Sequence, residues 1–209
     1  MTRTIAFVAV ALCVLHTGFA SGNGAKKAKT SNVLELFLSV PSGVLGFYQD
    51  DGKLEPIGKR KARVKLKDIK NGYLEIDPRG LEALESDIQV AYFRRPSGIP
   101  LLLLSYEAGD STDELLALEK RDGKWRNVTK EVIPKITAKF VNARTRARVP
   151  EAKKKKLNLD DCASGTFHYF LPRHGRTILA KTSSDCLSVG NGKVIFKLVP
   201  DGEKFKVVK

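Results

Sequence analysis

The chain has 209 residues, of which 37 are lysine or arginine and 23 are aspartate or glutamate, giving a formal net charge of +14. This length suffices for one domain with a substantial core or for two small lobes that share an interface. The charge disfavours a strongly basic partner, which would be repelled at long range, and no motif for a metal, a nucleotide or a catalytic nucleophile stands out.

Residues 1–20 have the features of a signal peptide. Ile5 to Leu15 is an unbroken apolar run that is too short to span a bilayer as a helix, and the small residues Gly18 and Ala20 suit cleavage after Ala20. We therefore predict a secreted or periplasmic protein, with an N-terminal membrane anchor or a buried helix as the alternative. Residues 21–31 are expected to form a disordered basic tail, and we predict no transmembrane segment in the mature chain.

Residues 32–143 are predicted to form an N-terminal β-rich domain. Asn32 favours the start of a short helix that ends before Pro41, with a strand as the alternative. The segment 42–61 is rich in glycine and charge, which is typical of a loop or a weak hairpin.

A hairpin and a helical turn come next in this domain. Apolar residues alternate with basic ones from Ala62 to Lys67, and Asn71-Gly72 is a strong hairpin signal. We therefore predict two strands that extend a central sheet. Residues 78–85 favour one helical turn before the chain enters that sheet.

The stretch from Asp87 to Thr129 predicts the four antiparallel strands around which the chain is organised. The run Leu101–Leu104 places large apolar groups on both faces, so it predicts the best-buried strand. Asp122-Gly123 between two extended segments predicts a hairpin. Trp125 on the last strand is expected to cover one end of the core, with its N–H reaching solvent or a carbonyl.

The rest of the chain is predicted in three parts. Thr129 is expected to cap a short helical turn, and residues 136–141 to form a further strand. Residues 144–156, which are mostly basic, predict a linker. Residues 157–209 return to strand patterning and predict a smaller C-terminal β subdomain.

Cys162 and Cys186 flank the first hairpin of that subdomain. In an oxidising compartment an isolated pair predicts a disulfide, which here would close a loop of about 25 residues and add roughly 3 kcal/mol of stability. A catalytic thiol or half of a metal site is the alternative. The predicted fold is therefore mainly β, with α+β possible: an antiparallel meander sheet with short helices, followed by a smaller disulfide-stapled β subdomain.

Two basic segments are the strongest candidates for a functional site. Clustered lysines and arginines in a flexible stretch neutralise phosphates or sulfates with little structural demand, and a tight turn that displays guanidinium groups suits a carboxylate or phosphate. The alternatives are a solvated linker for the first segment and an exposed hairpin tip for the second. The predicted anion-binding residues are Arg144, Arg146, Arg148, Lys153, Lys154, Lys155, Lys156, Arg173, His174 and Arg176.

Other polar groups do not form a recognisable catalytic or metal site, so we predict no catalytic residues, no metal and no cofactor. Asp110 and Asp113 lack the spacing of a calcium loop, and neither GxSxG nor HExxH occurs. His168 is expected to be a packed or rim side chain. The glycosylation sequon Asn127-Val128-Thr129 is interpreted as a coincidence on a strand end.

Four phrases, LELFLSVP, DIKNGYLEI, DGKWRNVTKEVIP and YFLPRHGRTI, resemble those of a group of small exported bacterial proteins of uncharacterised function. The resemblance extends over most of the predicted mature chain and implies export and a β-rich fold, without implying any site residue. The chain is also similar in size, export and sheet content to periplasmic lysozyme inhibitors. Its strongly basic charge departs from that group, because lysozymes are themselves basic.

These features favour an exported, non-catalytic binding protein that engages an anionic envelope polymer or protein through basic surface segments. Export makes nucleic acid an unexpected physiological partner. The alternative is a hydrolase or hydrolase inhibitor whose site is assembled from loops and leaves no sequence motif.

Overall fold

A computed structural model describes residues 32–45, 57–78, 87–108, 112–147, 167–182 and 192–209. The predicted signal peptide, basic tail and helical turn at 78–85 lie wholly or mostly outside these residues, as do Cys162 and Cys186 with their predicted disulfide. The described helices are α1 (Val33–Leu38), α2 (Ser42–Leu45), α3 (Ile57–Ala62), α4 (Thr129–Val132) and α5 (Ala138–Arg146). The strands are β1 (Val64–Asp68), β2 (Tyr73–Ile76), β3 (Ile88–Arg94), β4 (Pro100–Ala108), β5 (Thr112–Arg121), β6 (Lys124–Asn127), β7 (Phe167–Phe170), β8 (Ile178–Thr182), β9 (Val194–Asp201) and β10 (Lys204–Val208).

The strands form two antiparallel sheets, which confirms the mainly β fold class. The larger sheet is a six-stranded meander in the order β1-β2-β3-β4-β5-β6, and the smaller one has the order β10-β9-β8-β7. Strands β3 to β6 are the four predicted strands of the central stretch, and β1 and β2 are the predicted hairpin that extends it. Between β5 and β6 the chain reverses at Asp122 and Gly123, whose φ angles are 51° and 78°. Positive φ angles at both central residues give the turn a twist that matches the right-handed twist of the flanking strands.

Both faces of the larger sheet are buried at its centre, where strand β4 carries apolar groups on both sides. Leu101 to Leu104 are each at most 1% exposed. Leu102 and Leu104 face a cluster that includes Phe37 of helix α1, whereas Leu101 and Leu103 face the smaller sheet. Strand β4 is therefore the best-buried strand, as predicted.

The two sheets share one hydrophobic core. The rings of Phe93 on β3 and Phe205 on β10 meet edge to face with their centroids 5.3 Å apart. Polar contacts also cross the gap, since Ser105 Oγ donates to the Tyr169 carbonyl at 2.7 Å and the Leu171 N–H donates to Gln89 Oε1 at 2.7 Å. The two β portions are thus separate sheets that pack face to face.

Helix α1 begins where the sequence predicts. Asn32 caps it by accepting the N–H groups of Leu34 and Glu35, and the Glu35 side chain accepts the Asn32 N–H in return. This reciprocal capping box satisfies donors that a helix end leaves unpaired. Trp125 packs against the same layer, and its indole N–H donates to Ser39 Oγ at 3.3 Å, a hydroxyl in place of the expected carbonyl or solvent.

Three local predictions were wrong. Segment 42–61, predicted as loop or hairpin, contains helices α2 and α3. Helix α3 is fixed to the chain just after α1 by Arg60, whose Nη1 donates to the Val40 carbonyl at 2.5 Å. Residues 138–141, predicted as strand, belong to α5, which Thr137 caps by accepting the Phe140 N–H. Thr129 does not cap α4: its hydroxyl accepts the Ala117 N–H at 2.8 Å instead.

Candidate anion-binding surfaces

The first predicted anion-binding segment begins inside helix α5. Arg144 and Arg146 occupy its last turn, where their charge suits the negative end of the helix dipole. Arg144 Nε donates to the Ile195 carbonyl at 3.2 Å, so this side chain fastens α5 to the smaller sheet, whereas Arg146 is exposed. Arg148 and Lys153 to Lys156 lie outside the described residues.

The second segment, the β7–β8 loop, lies against the β1–β2 turn of the larger sheet. Arg173 Nε donates to Asp68 Oδ2 at 2.8 Å, and the same carboxylate accepts both the N–H and the side-chain amide of Asn71. The hydrogen bond from Arg173, followed by that from Asn71, lowers the pKa of Asp68 from 3.8 to about 2. Arg173 therefore connects the two sheets, a role that its predicted anion site did not include.

The same loop carries the remaining two predicted residues. Arg176 Nη2 donates to the Arg94 carbonyl at 2.9 Å, so the Arg176 guanidinium lies against the backbone at the end of β3, where Arg94 is exposed. His174 is exposed beside them, and Gly175 has a φ of 81°, which permits the tight reversal. We call the surface formed by Ile69, Lys70, Arg94, Arg173, His174 and Arg176 the basic corner.

A second basic surface was missed by the sequence analysis. On β8, β9 and β10 the core residues Ala180, Phe196 and Phe205 alternate with lysines that point away from the core. Antiparallel pairing of these adjacent strands brings the lysines onto one outer surface. We call this surface, formed by Lys181, Lys197, Lys204 and Lys206, the lysine face.

The lysine face is basic with apolar neighbours. Lys197 lies across from Leu179 on one side and Val208 on the other. Lys197, Lys204 and Lys206 are exposed, and the Lys206 ammonium lies 3.5 Å from an Asp201 carboxylate oxygen. Alternation of lysine with buried residues from Lys204 to Lys206 is the sequence signal that could have identified part of this surface.

A buried charge cluster lies where the β3–β4 turn meets the β9–β10 hairpin. Arg95 Nη2 lies 2.5 Å from Glu119 Oε2, and Arg121 Nε lies 3.2 Å from Glu119 Oε1, while Arg95 and Glu119 are 7% and 4% exposed. Glu203 accepts both the N–H and the hydroxyl of Ser97, and the former bond in particular lowers the pKa of Glu203. Arg95, Glu119 and Arg121 pair within the larger sheet, and the contacts of Glu203 with Ser97 and Arg95 connect this cluster to the smaller sheet.

A groove of about 490 Å³ runs between β5, β6 and α4. Tyr106 donates to Glu114 Oε2 at 2.7 Å on one wall, and burial raises the pKa of that phenol. The Thr129 hydroxyl donates to Asn127 Oδ1 at 2.7 Å, so it is already committed to a neighbour. The groove thus offers carboxylates without an activated nucleophile. Within the described ranges no group of three or more His, Cys, Asp or Glu side chains is placed to hold a metal ion.

Comparisons with known proteins give no functional assignment for this chain, so an assignment depends on the geometry of these surfaces. No family model matches the chain, and searches of curated proteins and of solved structures gave no significant match. Among the helices that the structure describes, none is long and apolar enough to cross a membrane.

Proposed function

We propose that the protein is an exported, non-catalytic binding protein that engages an anionic partner, such as an anionic polymer of the cell envelope, through its basic surfaces. The predicted signal peptide supports export, and the Cys162–Cys186 disulfide is part of the same proposal. Peptide mass spectrometry without reduction tests that bond.

The observation that carries the proposal is the lysine face. Burying aromatic and aliphatic side chains on the inner side of the smaller sheet directs its lysines outward, where nothing in the core requires them. Lys204 and Lys206 alternate on one strand, about 7 Å apart at the rise of an antiparallel strand. Positive charges held at fixed positions on a sheet attract an extended polyanion without a shaped pocket.

The predicted arginines contribute differently. Arg144, Arg173 and Arg176 hold elements together through hydrogen bonds, so their replacement combines any loss of binding with a loss of stability. The exposed lysines of the smaller sheet are better probes, because surface substitutions away from such contacts change stability little.

The test is binding of soluble inorganic polyphosphate over a salt series. The triple variant Lys197→Ala, Lys204→Ala and Lys206→Ala is compared with a control of equal charge, Lys124→Ala, Lys130→Ala and Lys139→Ala, whose residues are exposed elsewhere. We expect the lysine-face variant to reduce the dependence of log K on log salt by about two to three, since each neutralised contact contributes somewhat less than one.

Two outcomes oppose the proposal. If polyphosphate does not bind, or if its affinity does not fall steeply with salt, electrostatic capture is wrong. If the two triple variants lose affinity equally, net charge alone explains the binding and the lysine face is not a site.

A further inference from the structure

Ile69 is the most exposed of the large apolar side chains in the described residues, at 40%. It lies in the β1–β2 turn, next to Lys70, whereas the preceding apolar residue of this hairpin, Leu66, packs against the core. The core therefore gives no reason for an isoleucine at this position.

The turn holds Ile69 in place. The Gly72 N–H donates to the Ile69 carbonyl at 3.2 Å, and the Gly72 carbonyl accepts the Tyr92 N–H at 2.8 Å. Gly72 has a φ of 69°, and a Cβ there would lie 3.2 Å from Tyr92 Cβ, so the turn lies directly on β3. Ile69 is thus exposed to solvent on a turn that one hydrogen bond closes and another attaches to β3.

Basic residues lie close to Ile69 in the sequence and across the contact between the two sheets. Arg173 is anchored on Asp68, the residue before Ile69, and its side chain remains 52% exposed. Lys70 follows Ile69 directly, and the exposed Arg94 and Arg176 are joined by the hydrogen bond to the Arg94 carbonyl. The ion pair cancels the charges of Arg173 and Asp68, so the exposed Lys70, Arg94 and Arg176 give the basic corner its excess of positive charge.

We propose that the basic corner docks the protein on an anionic lipid surface, with Ile69 entering the interface and the neighbouring basic side chains contacting lipid phosphates. A soluble polyanion interacts with the positive charges alone. A bilayer interface can also bury an apolar side chain, so the free energy of burying Ile69 adds to the electrostatic attraction of the basic residues. This inference goes beyond the proposed function, since it concerns another surface and another class of partner.

The first test measures co-sedimentation of the whole protein with phosphatidylcholine vesicles, with and without phosphatidylglycerol. Ile69→Ser is compared with Val208→Ser, which alters an apolar residue of similar exposure, 37%, that lies across from Lys197 on the lysine face. We expect binding only to the vesicles that contain phosphatidylglycerol, about fivefold weaker for Ile69→Ser and unchanged for Val208→Ser, because a partly exposed isoleucine adds part of a full burial free energy.

The second test compares two variants of equal charge. Lys70→Ala with Arg94→Ala removes two charges from the basic corner, and Lys197→Ala with Lys206→Ala removes two from the lysine face. Each basic residue near the membrane strengthens binding roughly fivefold, so the corner variant is expected to bind the vesicles about 25-fold more weakly. The lysine-face variant is expected to lose only the smaller amount of affinity that its reduced net charge explains.

The outcomes separate this inference from the proposed function. If the protein binds polyphosphate but not the anionic vesicles, docking is overturned and the proposed function stands. If the protein binds the anionic vesicles but not polyphosphate, the proposed function is overturned and docking stands. Equal loss for Ile69→Ser and Val208→Ser, or for the two double variants, also overturns the basic corner as the docking site.

Discussion

Replacing Glu119 with glutamine removes one charge from the buried cluster and leaves its shape almost unchanged. Glu119 lies across from Leu101, on the face that packs against the smaller sheet, and holds Arg95 through one carboxylate oxygen and Arg121 through the other. Loss of one partner of a buried ion pair leaves the other charge uncompensated, which typically costs about 3–5 kcal/mol.

The contacts that remain place Glu119→Gln near the lower end of that range. Arg95 Nε still lies 3.6 Å from Glu203 Oε2 and 3.4 Å from the Ile99 carbonyl. We therefore expect the free energy of unfolding to fall by about 3 kcal/mol, measured by urea denaturation with an unchanged m-value. The exposed pair Lys65–Asp87, at 2.8 Å with side chains 48% and 39% exposed, gives the control Asp87→Asn.

The control is expected to cost less than about 1 kcal/mol, because water and salt screen an exposed pair. A further variant, Arg95→Met with Glu119→Leu, is expected to recover most of the loss, since the desolvation cost of both charges disappears. If Glu119→Gln costs no more than Asp87→Asn, the buried pair does not contribute the predicted stability and the prediction is wrong.

Three further predictions concern single side chains. Arg173 lowers the pKa of Asp68 from 3.8 to about 2, so the ionised Asp68 stabilises the fold above pH 3.8 and loses this effect as the pH falls towards 2. The difference in urea midpoint between wild type and Asp68→Asn should therefore disappear over that pH range. Gly72→Ala, at φ 69° with Tyr92 Cβ 3.2 Å away, should lower the unfolding free energy by about 1–2 kcal/mol. Leu103→Ala should lower the unfolding free energy by about 2–5 kcal/mol, because Leu103 is fully buried. An unchanged urea midpoint would contradict its central position in the core.

The strands were predictable because their signals are local. Alternation of apolar residues and the turns at Asn71-Gly72 and Asp122-Gly123 depend on a few neighbouring residues, and the structure has strands and reversals at these places. Helix α3 was not predictable in this way, because the contact between Arg60 and the Val40 carbonyl joins residues twenty positions apart. Tertiary contacts of this kind override local propensity.

The candidate surfaces show the same limit more strongly. The sequence identified Arg173 as a basic residue on a turn, but its partner Asp68 lies 105 positions away. The lysine face depends on the register of β8, β9 and β10, which brings together residues that no linear spacing relates. The chemistry of each residue could be predicted, and its neighbours could not.

The polar links between the sheets have a consequence for folding kinetics. Ser97–Glu203, Asp68–Arg173 and Arg94–Arg176 join residues separated by 106, 105 and 82 positions. Contacts of such long range form after the chain has closed large loops, so they are expected to be absent from the folding transition state. Variants such as Glu203→Gln should therefore accelerate unfolding with little change in the folding rate, which makes these links determinants of how long the folded protein survives.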